Sequence, residues 1–310
     1  MASFIESWIA RFLFSTISAA ALLWNSLVIW VIVKNRKVYL KRPFDILILN
    51  LAVADALSAV FLVFSRFLYL PTMPRDYTDA YLYCTLLWGG YILFALGYIS
   101  VYTCLLLTIE RWMAVVRPQA YRLFKKRQIL IAVIFIWIWG FFLDAPAFLT
   151  TDADVKNKKC KFVGLRIGGK VLPFLQILLT CLIPSIVITS LYTHIFHKIN
   201  RMPLFLRGAA GTGLKKRLTV ISLVASLFLI VGWLPTQISY SLDLIGLIND
   251  LHRESTLYCI FIMMTLVNSV VNPVLYGVFS SRCRAEFIAV FRWVIRYSGR
   301  GNIKNVSPAE

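Results

Sequence analysis

The stretch FDILILNLAVADALSAVFLVFSRFLYL, running from Phe44 to Leu70, decides what kind of molecule this is. After Asp45 at its start it carries only two charges, Asp55 and Arg66. About 20 apolar residues cross a bilayer core, and a helix satisfies every backbone polar group within one segment. The stretch therefore reads as a transmembrane helix with a carboxylate near its middle. Such a carboxylate costs about 2.5–3.5 kcal/mol on insertion scales. Asp55 needs a cation, a proton or polar partners, and Asn25, Ser100, Asn268, Ser269 and Asn272 are candidate partners in other apolar runs.

Six further runs of this kind flank it: Phe12 to Val33, Leu82 to Val116, Ile129 to Leu149, Val171 to Phe196, Leu214 to Ile248 and Leu257 to Phe279. The composition agrees. The 310 residues are 59% hydrophobic and 15% charged, against about 45–50% and 25% in an ordinary soluble domain. A cytosolic enzyme and a disordered basic tail are both excluded. The expected fold is an all-α membrane protein, a seven-transmembrane helix bundle.

The net charge of +19 first suggests nucleic acid, but its placement does not. Residues 34–42, 111–127, 198–217 and 282–304 hold 23 of the 33 Lys and Arg residues. These segments alternate with the other set of loops, so the positive-inside rule puts them in the cytoplasm and the N-terminus outside. The excess charge is a topology signal and a contact for anionic lipid, with no nucleic-acid partner expected. Past Phe279, the residues Phe287, Val290, Phe291 and Val294 recur at helical spacing among Arg284, Arg292 and Arg296. This predicts a short amphipathic eighth helix on the inner leaflet. Cys104, Cys181 and Cys259 read as small apolar core residues. His194 and His197 have a spacing that suits a metal, but no third ligand accompanies them, and they read as interfacial histidines.

Several motifs then fall in order, one or more to a span: Asn25; Leu51-Ala-Val-Ala-Asp55; Glu110-Arg111-Trp112 followed by Ala-Val-Val-Arg-Pro118; Trp137 with Pro146; Pro184 with Tyr192; Gly232-Trp233-Leu-Pro235; and Asn272-Pro273-Val-Leu-Tyr276. Together they make the chain resemble the rhodopsin-like (class A) G-protein-coupled receptors, most of all the peptide-receptor group. The resemblance implies a multi-pass plasma-membrane receptor for an extracellular ligand, with a heterotrimeric G protein as its cytoplasmic partner and no enzymatic activity. Residues 1–296 would form the receptor domain with its amphipathic helix, and 297–310 a short cytoplasmic tail.

The resemblance also assigns roles. Glu110, Arg111, Tyr192, Trp233, Pro235, Asn272, Pro273 and Tyr276 would form the activation switch. Pro235 and Pro273 each remove a backbone hydrogen bond and permit a kink. Asp55 with Ser100, Asn268 and Ser269 resembles a pocket for an allosteric sodium ion, while no cofactor is required. Cys84 and Cys160 match the family's disulfide pair. One departure is the distance from Cys84 to Arg111, about two residues longer than the resemblance leads one to expect, so the start of the third span should be extended or bulged. Another is Lys215-Lys216-Arg217 at the inner end of the sixth span, where many relatives carry an acid that ties down the third-span arginine. Repulsion there predicts raised basal signalling.

On the ligand side, Leu93 stands where amine receptors carry an aspartate, and the seventh span has no Lys for a retinal Schiff base. The outer span halves carry Arg66, Asp144, Gln176, Gln237, Tyr240, Asp243 and Tyr258. Both signs of charge suit a zwitterionic or peptide ligand. The competing class is a polytopic transporter or channel, with Asp55 and Arg66 lining a path, but no inverted repeat supports it.

Overall fold

The computed structural model describes residues 8–66, 74–122, 125–163, 171–201, 210–244, 256–279, 284–290 and 292, with the side chains at 64–66, 162, 210–218, 221, 243, 244, 258 and 276–279 outside that description. Seven long helices are present among them: α1 (Trp8–Lys34), α2 (Pro43–Arg66), α3 (Tyr91–Val116), α4 (Lys126–Leu143), α5 (Ile183–Asn200), α6 (Ala210–Leu244) and α7 (Thr256–Phe279). Six helical stretches are long and apolar enough to cross a membrane by length and composition. α7 adds 24 residues, about 36 Å at 1.5 Å per residue.

α1 packs on α2, α2 on α3, α3 on α4, α5 on α6 and α6 on α7; α5 is held mainly by α3, and α1 against α7 closes the ring. α3 is the central pillar, touching α2, α4, α5 and α6. Its sequence fits that place: Ala95, Leu96, Gly97, Tyr98, Ile99, Ser100 and Val101 are all buried in succession, as expected of a helix that is apolar on every side. α4 is the opposite case. Ile131, Ile134, Phe135, Ile138 and Phe142 are exposed, forming a face that meets hydrocarbon.

Two irregularities have local causes. Between the short helix Tyr77–Tyr83 and α3 lies a π-helical turn, Cys84–Trp88, ending at Gly89 and Gly90. Gly90 has φ 82°, which glycine adopts without strain. This extra-wide turn and break absorb the long spacing between Cys84 and Arg111, the bulge expected from the sequence. A second π turn, Leu178–Leu182, joins the short helix Val171–Ile177 to α5. Pro184 follows in the first turn of α5. Its ring would clash with the carbonyl of residue 180 in a regular α-helix, and widening the turn by one residue relieves this.

The outer loop after α4 contains an element the sequence reading did not anticipate. Strands β1 (Thr151–Asp154) and β2 (Lys159–Phe162) pair antiparallel, with Ala153 opposite Cys160. At the other end of the bundle residues 284–290 are helical, as the amphipathic pattern predicted. Phe287 is buried against Trp24, with ring centroids 6.0 Å apart. Glu286 meets Lys34 and Asn35 at 3.3 Å each, which fixes this helix to the inner end of α1. Cys283 and residues 297–310 lie outside the described residues.

Candidate functional site

Asp55 is 2% exposed and fully engaged. Its Oδ1 accepts from the hydroxyls of Ser100 (2.9 Å) and Ser269 (3.2 Å), and its Oδ2 from Asn272 Nδ2 (2.9 Å). Three helices thus converge on one carboxylate. Asn272, assigned from sequence to the switch, is here also a direct partner of Asp55. Asn25 donates to the Ser269 carbonyl at 2.8 Å, bringing α1 into the same network. Beside Asp55 is a cavity of about 20 Å³ lined by Ser100, Gly97, Trp233, Asn268 and Ser269 among others. That is room for about one water-sized particle. Asn268 Oδ1 is buried there with no hydrogen-bond partner among the described residues. An unpaired carbonyl oxygen next to a carboxylate and two hydroxyls is a donor set that suits a small hard cation.

Trp233 forms the roof of this cavity and sits on α3 at Gly97. A Cβ built on Gly97 would lie 1.8 Å from the indole, so glycine at 97 is what lets the ring lie against the α3 backbone. Phe94 and Tyr98 flank it with ring centroids at 6.3 and 5.6 Å. α6 then meets α7 through small groups. Thr265 donates to the Gly232 carbonyl at 3.0 Å, and its hydroxyl lies 3.0 Å from that of Thr236.

Above Trp233 a buried polar chain runs outward. Gln176 Nε2 donates to Tyr98 OH (3.3 Å), Tyr98 OH donates to Gln237 Oε1 (3.3 Å), and Thr180 Oγ1 donates to the same oxygen (3.4 Å). Gln237 Nε2 is buried without a partner among the described residues. The structure therefore brings together Gln176 and Gln237, and Tyr240 lies 6.1 Å from Phe94 by ring centroids. Asp144 is buried at the end of α4. Sequence reasoning missed Tyr98, the hub of this chain. The available signal was a lone phenol within the apolar run from Phe94 to Val101, because buried tyrosines usually find a partner for the hydroxyl. The side chains of Arg66, Asp243 and Tyr258 lie outside the described residues, as does that of Tyr276.

The outer hairpin is pinned over this end of the bundle. Cys84 and Cys160 form a disulfide with Cα atoms 5.4 Å apart. Tyr77 donates to Asp152 at 2.9 Å and Lys161 meets the same carboxylate at 3.3 Å. Tyr77's hydrogen bond holds the Asp152 carboxyl below its ordinary value, with smaller help from Ala153 N–H and Lys161. Lys156, Lys158 and Lys159 are exposed on the hairpin.

At the opposite end of α3 Glu110 and Arg111 form a two-pronged ion pair, both buried. Arg111 also lies over the Phe44 ring, 4.5 Å from its centroid. Tyr121, in the short helix Pro118–Arg122, donates to Glu110 at 2.5 Å. Burial and then the Glu110 charge push the Tyr121 hydroxyl above its ordinary value, so it remains a donor at neutral pH. Tyr192 of α5 is buried, its hydroxyl 3.5 Å from that of Thr108 on α3, with Ser222 and Ser226 of α6 near it. Hydroxyls thus tie α6 to α3 and α5 here. The side chains of Lys215, Lys216 and Arg217 lie outside the described residues. His194 accepts a hydrogen bond from Trp112 Nε1 at 3.1 Å, and no group of three or more metal-ligating residues occurs among the described residues.

A tachykinin-like peptides receptor of Drosophila melanogaster, 99D, is 23% identical over 296 residues, covering 87% of this chain and 54% of that receptor. Neuropeptide receptor 22 of Caenorhabditis elegans is 28% identical, with 85% and 64% covered. The human lysophosphatidic acid receptor 3 is 26% identical, with 82% and 70% covered. The chain thus spans between about half and two thirds of the length of the first two. The sequence model of the 7 transmembrane receptor (rhodopsin family) matches residues 24–276, most of the bundle, and reaches from Asn25 to Tyr276. This decides between receptor and transporter: the chain belongs to the rhodopsin family of seven-transmembrane receptors, a multi-pass membrane protein.

Proposed function

We propose that this receptor lies in the plasma membrane with its N-terminus outside, binds a short extracellular peptide, and activates a heterotrimeric G protein. The carrying observation is the continuous buried path from Gln176 through Tyr98 and Gln237 to Trp233, above Asp55 and in line with Arg111 on the same α3. Two of the three relatives take peptides by name and one a lysophospholipid. The side chains of the buried path favour the peptide. Gln176, Tyr98, Gln237 and Thr180 are neutral amides and hydroxyls, which match peptide N–H and C=O groups, while a phosphate head calls for Arg or Lys; the described lysines of this end are the exposed ones of the hairpin.

Ligand binding is a shift toward the state it binds more tightly. A peptide that pairs with Gln237 Nε2 and displaces Tyr98 alters the support of Trp233. α6 then swings about Pro235, and Arg111 is released to a G-protein α subunit. A screen of peptide libraries against nucleotide exchange on purified G proteins tests this. A peptide that raises exchange severalfold in the native receptor and far less in Tyr98→Phe and Gln237→Leu is the expected result. Activation by lysophospholipids and by no peptide overturns the ligand class, and no ligand-dependent exchange on any G protein overturns the coupling.

Sodium is the proposed occupant beside Asp55, held by Asp55, Ser100, Asn268 and Ser269. It would bridge α2, α3 and α7 and so favour the closed bundle. Replacing potassium chloride by sodium chloride is expected to lower ligand-free nucleotide exchange by about fivefold, the low end of usual coupling free energies. Asp55→Asn should remove the difference. Equal exchange in both salts for the native receptor overturns the site.

A further inference from the structure

A second cavity lies between the short helix Val171–Ile177 with the π turn that follows it and the part of α6 beyond Pro235. Its volume is about 540 Å³, and its walls include Phe174, Ile177, Leu182, Ile238, Ser241 and Leu242. Ligand pockets run about 300–1,000 Å³, so this one is large enough for a whole small molecule. Val171 and Phe174 at its edge are more than 60% exposed. On helices that cross a bilayer this face meets acyl chains, not water.

Ser241 is the only hydrogen-bonding side chain in that wall among the described residues. Serine and threonine in helices usually return the hydroxyl to a carbonyl one turn back, as Ser58, Thr103, Thr108, Ser190 and Thr193 do here. Ser241 does not: it is 8% exposed and its hydroxyl has no partner among the described residues. A buried hydroxyl without a partner loses the hydrogen bonds it makes in water and gains none in return. Leu182 in its wall belongs to the π turn that precedes Pro184.

We propose that this groove is a lateral binding site for a single-chain lipid of the outer leaflet bearing one hydroxyl, its alkyl body against Phe174, Ile177, Ile238 and Leu242 and its oxygen on Ser241. The site is distinct from the path through Tyr98, and it lies on the outer side of the Pro235 hinge. Ser241 stands one helical turn beyond Gln237 on the same side of α6, so the lipid's oxygen would lie next to the residue that the peptide is proposed to reach.

Hexadecanol carrying a mid-chain diazirine, photoactivated on the full-length receptor in phosphatidylcholine nanodiscs, is the probe. Label is expected to concentrate on residues 171–182 and 238–242 over the exposed face of α4, and to be displaced by hexadecanol but not by hexadecane. Ile238→Trp should reduce groove labelling at least fivefold and leave α4 labelling unchanged. Ser241→Ala, which leaves the helix and the apolar wall in place, should abolish the preference for the alcohol as competitor. Label spread evenly over lipid-facing helices, or unchanged in Ile238→Trp, overturns the site. Equal competition by hexadecane in the native receptor overturns the role of Ser241. None of these readouts depends on the identity of the peptide or on G-protein coupling.

Discussion

Gly97→Ala is expected to raise ligand-free nucleotide exchange by about 5–150-fold. The added methyl falls 1.8 Å from the Trp233 ring, and overpacking of this kind costs typically about 1–3 kcal/mol. That strain acts where the indole lies on α3, in the closed bundle. When α6 swings about Pro235 the ring leaves α3, so the open state escapes most of the penalty, and 1–3 kcal/mol corresponds to a 5–150-fold shift in the balance. Local helix stability works the other way, because alanine is a better helix former than glycine by about 1 kcal/mol. A loss of secondary structure therefore does not mimic the effect. Exchange is measured on membranes matched for receptor amount. Gly97→Ala combined with Trp233→Leu, which removes the clashing ring, should fall back toward the level of Trp233→Leu alone. Unchanged or lower exchange in Gly97→Ala at equal receptor amount refutes the reading of Trp233 as the element that α3 supports.

The bundle was legible in the sequence because lipid enforces it. Long apolar runs must be helices, and basic residues sort to one side, so spans and the amphipathic eighth helix follow from Asp55's surroundings and from Phe287. Asp55 was legible for a similar reason: a carboxylate among Leu and Ala has to be explained. What was not legible depended on which side chains meet across helices. Tyr98, Gln176 and Gln237 lie far apart in sequence, and their shared hydrogen bonds arise only once α3, the short helix Val171–Ile177 and α6 pack. Asp144 was read as one of the polar groups of the outer span halves, and its burial at the end of α4 depends on packing that its position in sequence does not reveal; the hairpin Thr151–Phe162 beyond it was not anticipated. That hairpin was missed because four-residue strands carry too little periodicity to stand out from a loop. The π turns were half legible. The excess spacing from Cys84 to Arg111 signalled an extended or bulged start of the third span without giving its form, whereas Pro184 was read only as a motif residue of the fifth span.

Glu110→Gln should raise ligand-free exchange by at least about tenfold. Glu110 and Arg111 are both buried, and removing one partner of a buried pair costs about 3–5 kcal/mol because the remaining charge is left uncompensated. Glutamine keeps the shape of the side chain and an oxygen for Tyr121, so the charge is what changes. The closed state bears that penalty. In the open state Arg111 reaches water or the G protein, so the penalty is relieved, and about 1.4 kcal/mol of difference is already tenfold. The same argument orders two further variants. Tyr121→Phe removes one hydrogen bond to Glu110 and leaves the ion pair, which is worth about 0.5–1.5 kcal/mol, so its increase should be smaller. Lys215→Glu reverses a charge at the inner end of α6 and offers Arg111 a second carboxylate, so exchange should fall below the native level. Arg111→Ala in the Glu110→Gln background should abolish exchange, which separates release of Arg111 from general loosening of the bundle. Native-level exchange in Glu110→Gln at equal receptor amount refutes the ion pair as a restraint. Exchange in Lys215→Glu equal to or above native shows that the basic start of α6 does not raise basal signalling, and the closed state then rests on the Thr108, Tyr192, Ser222 and Ser226 hydroxyls.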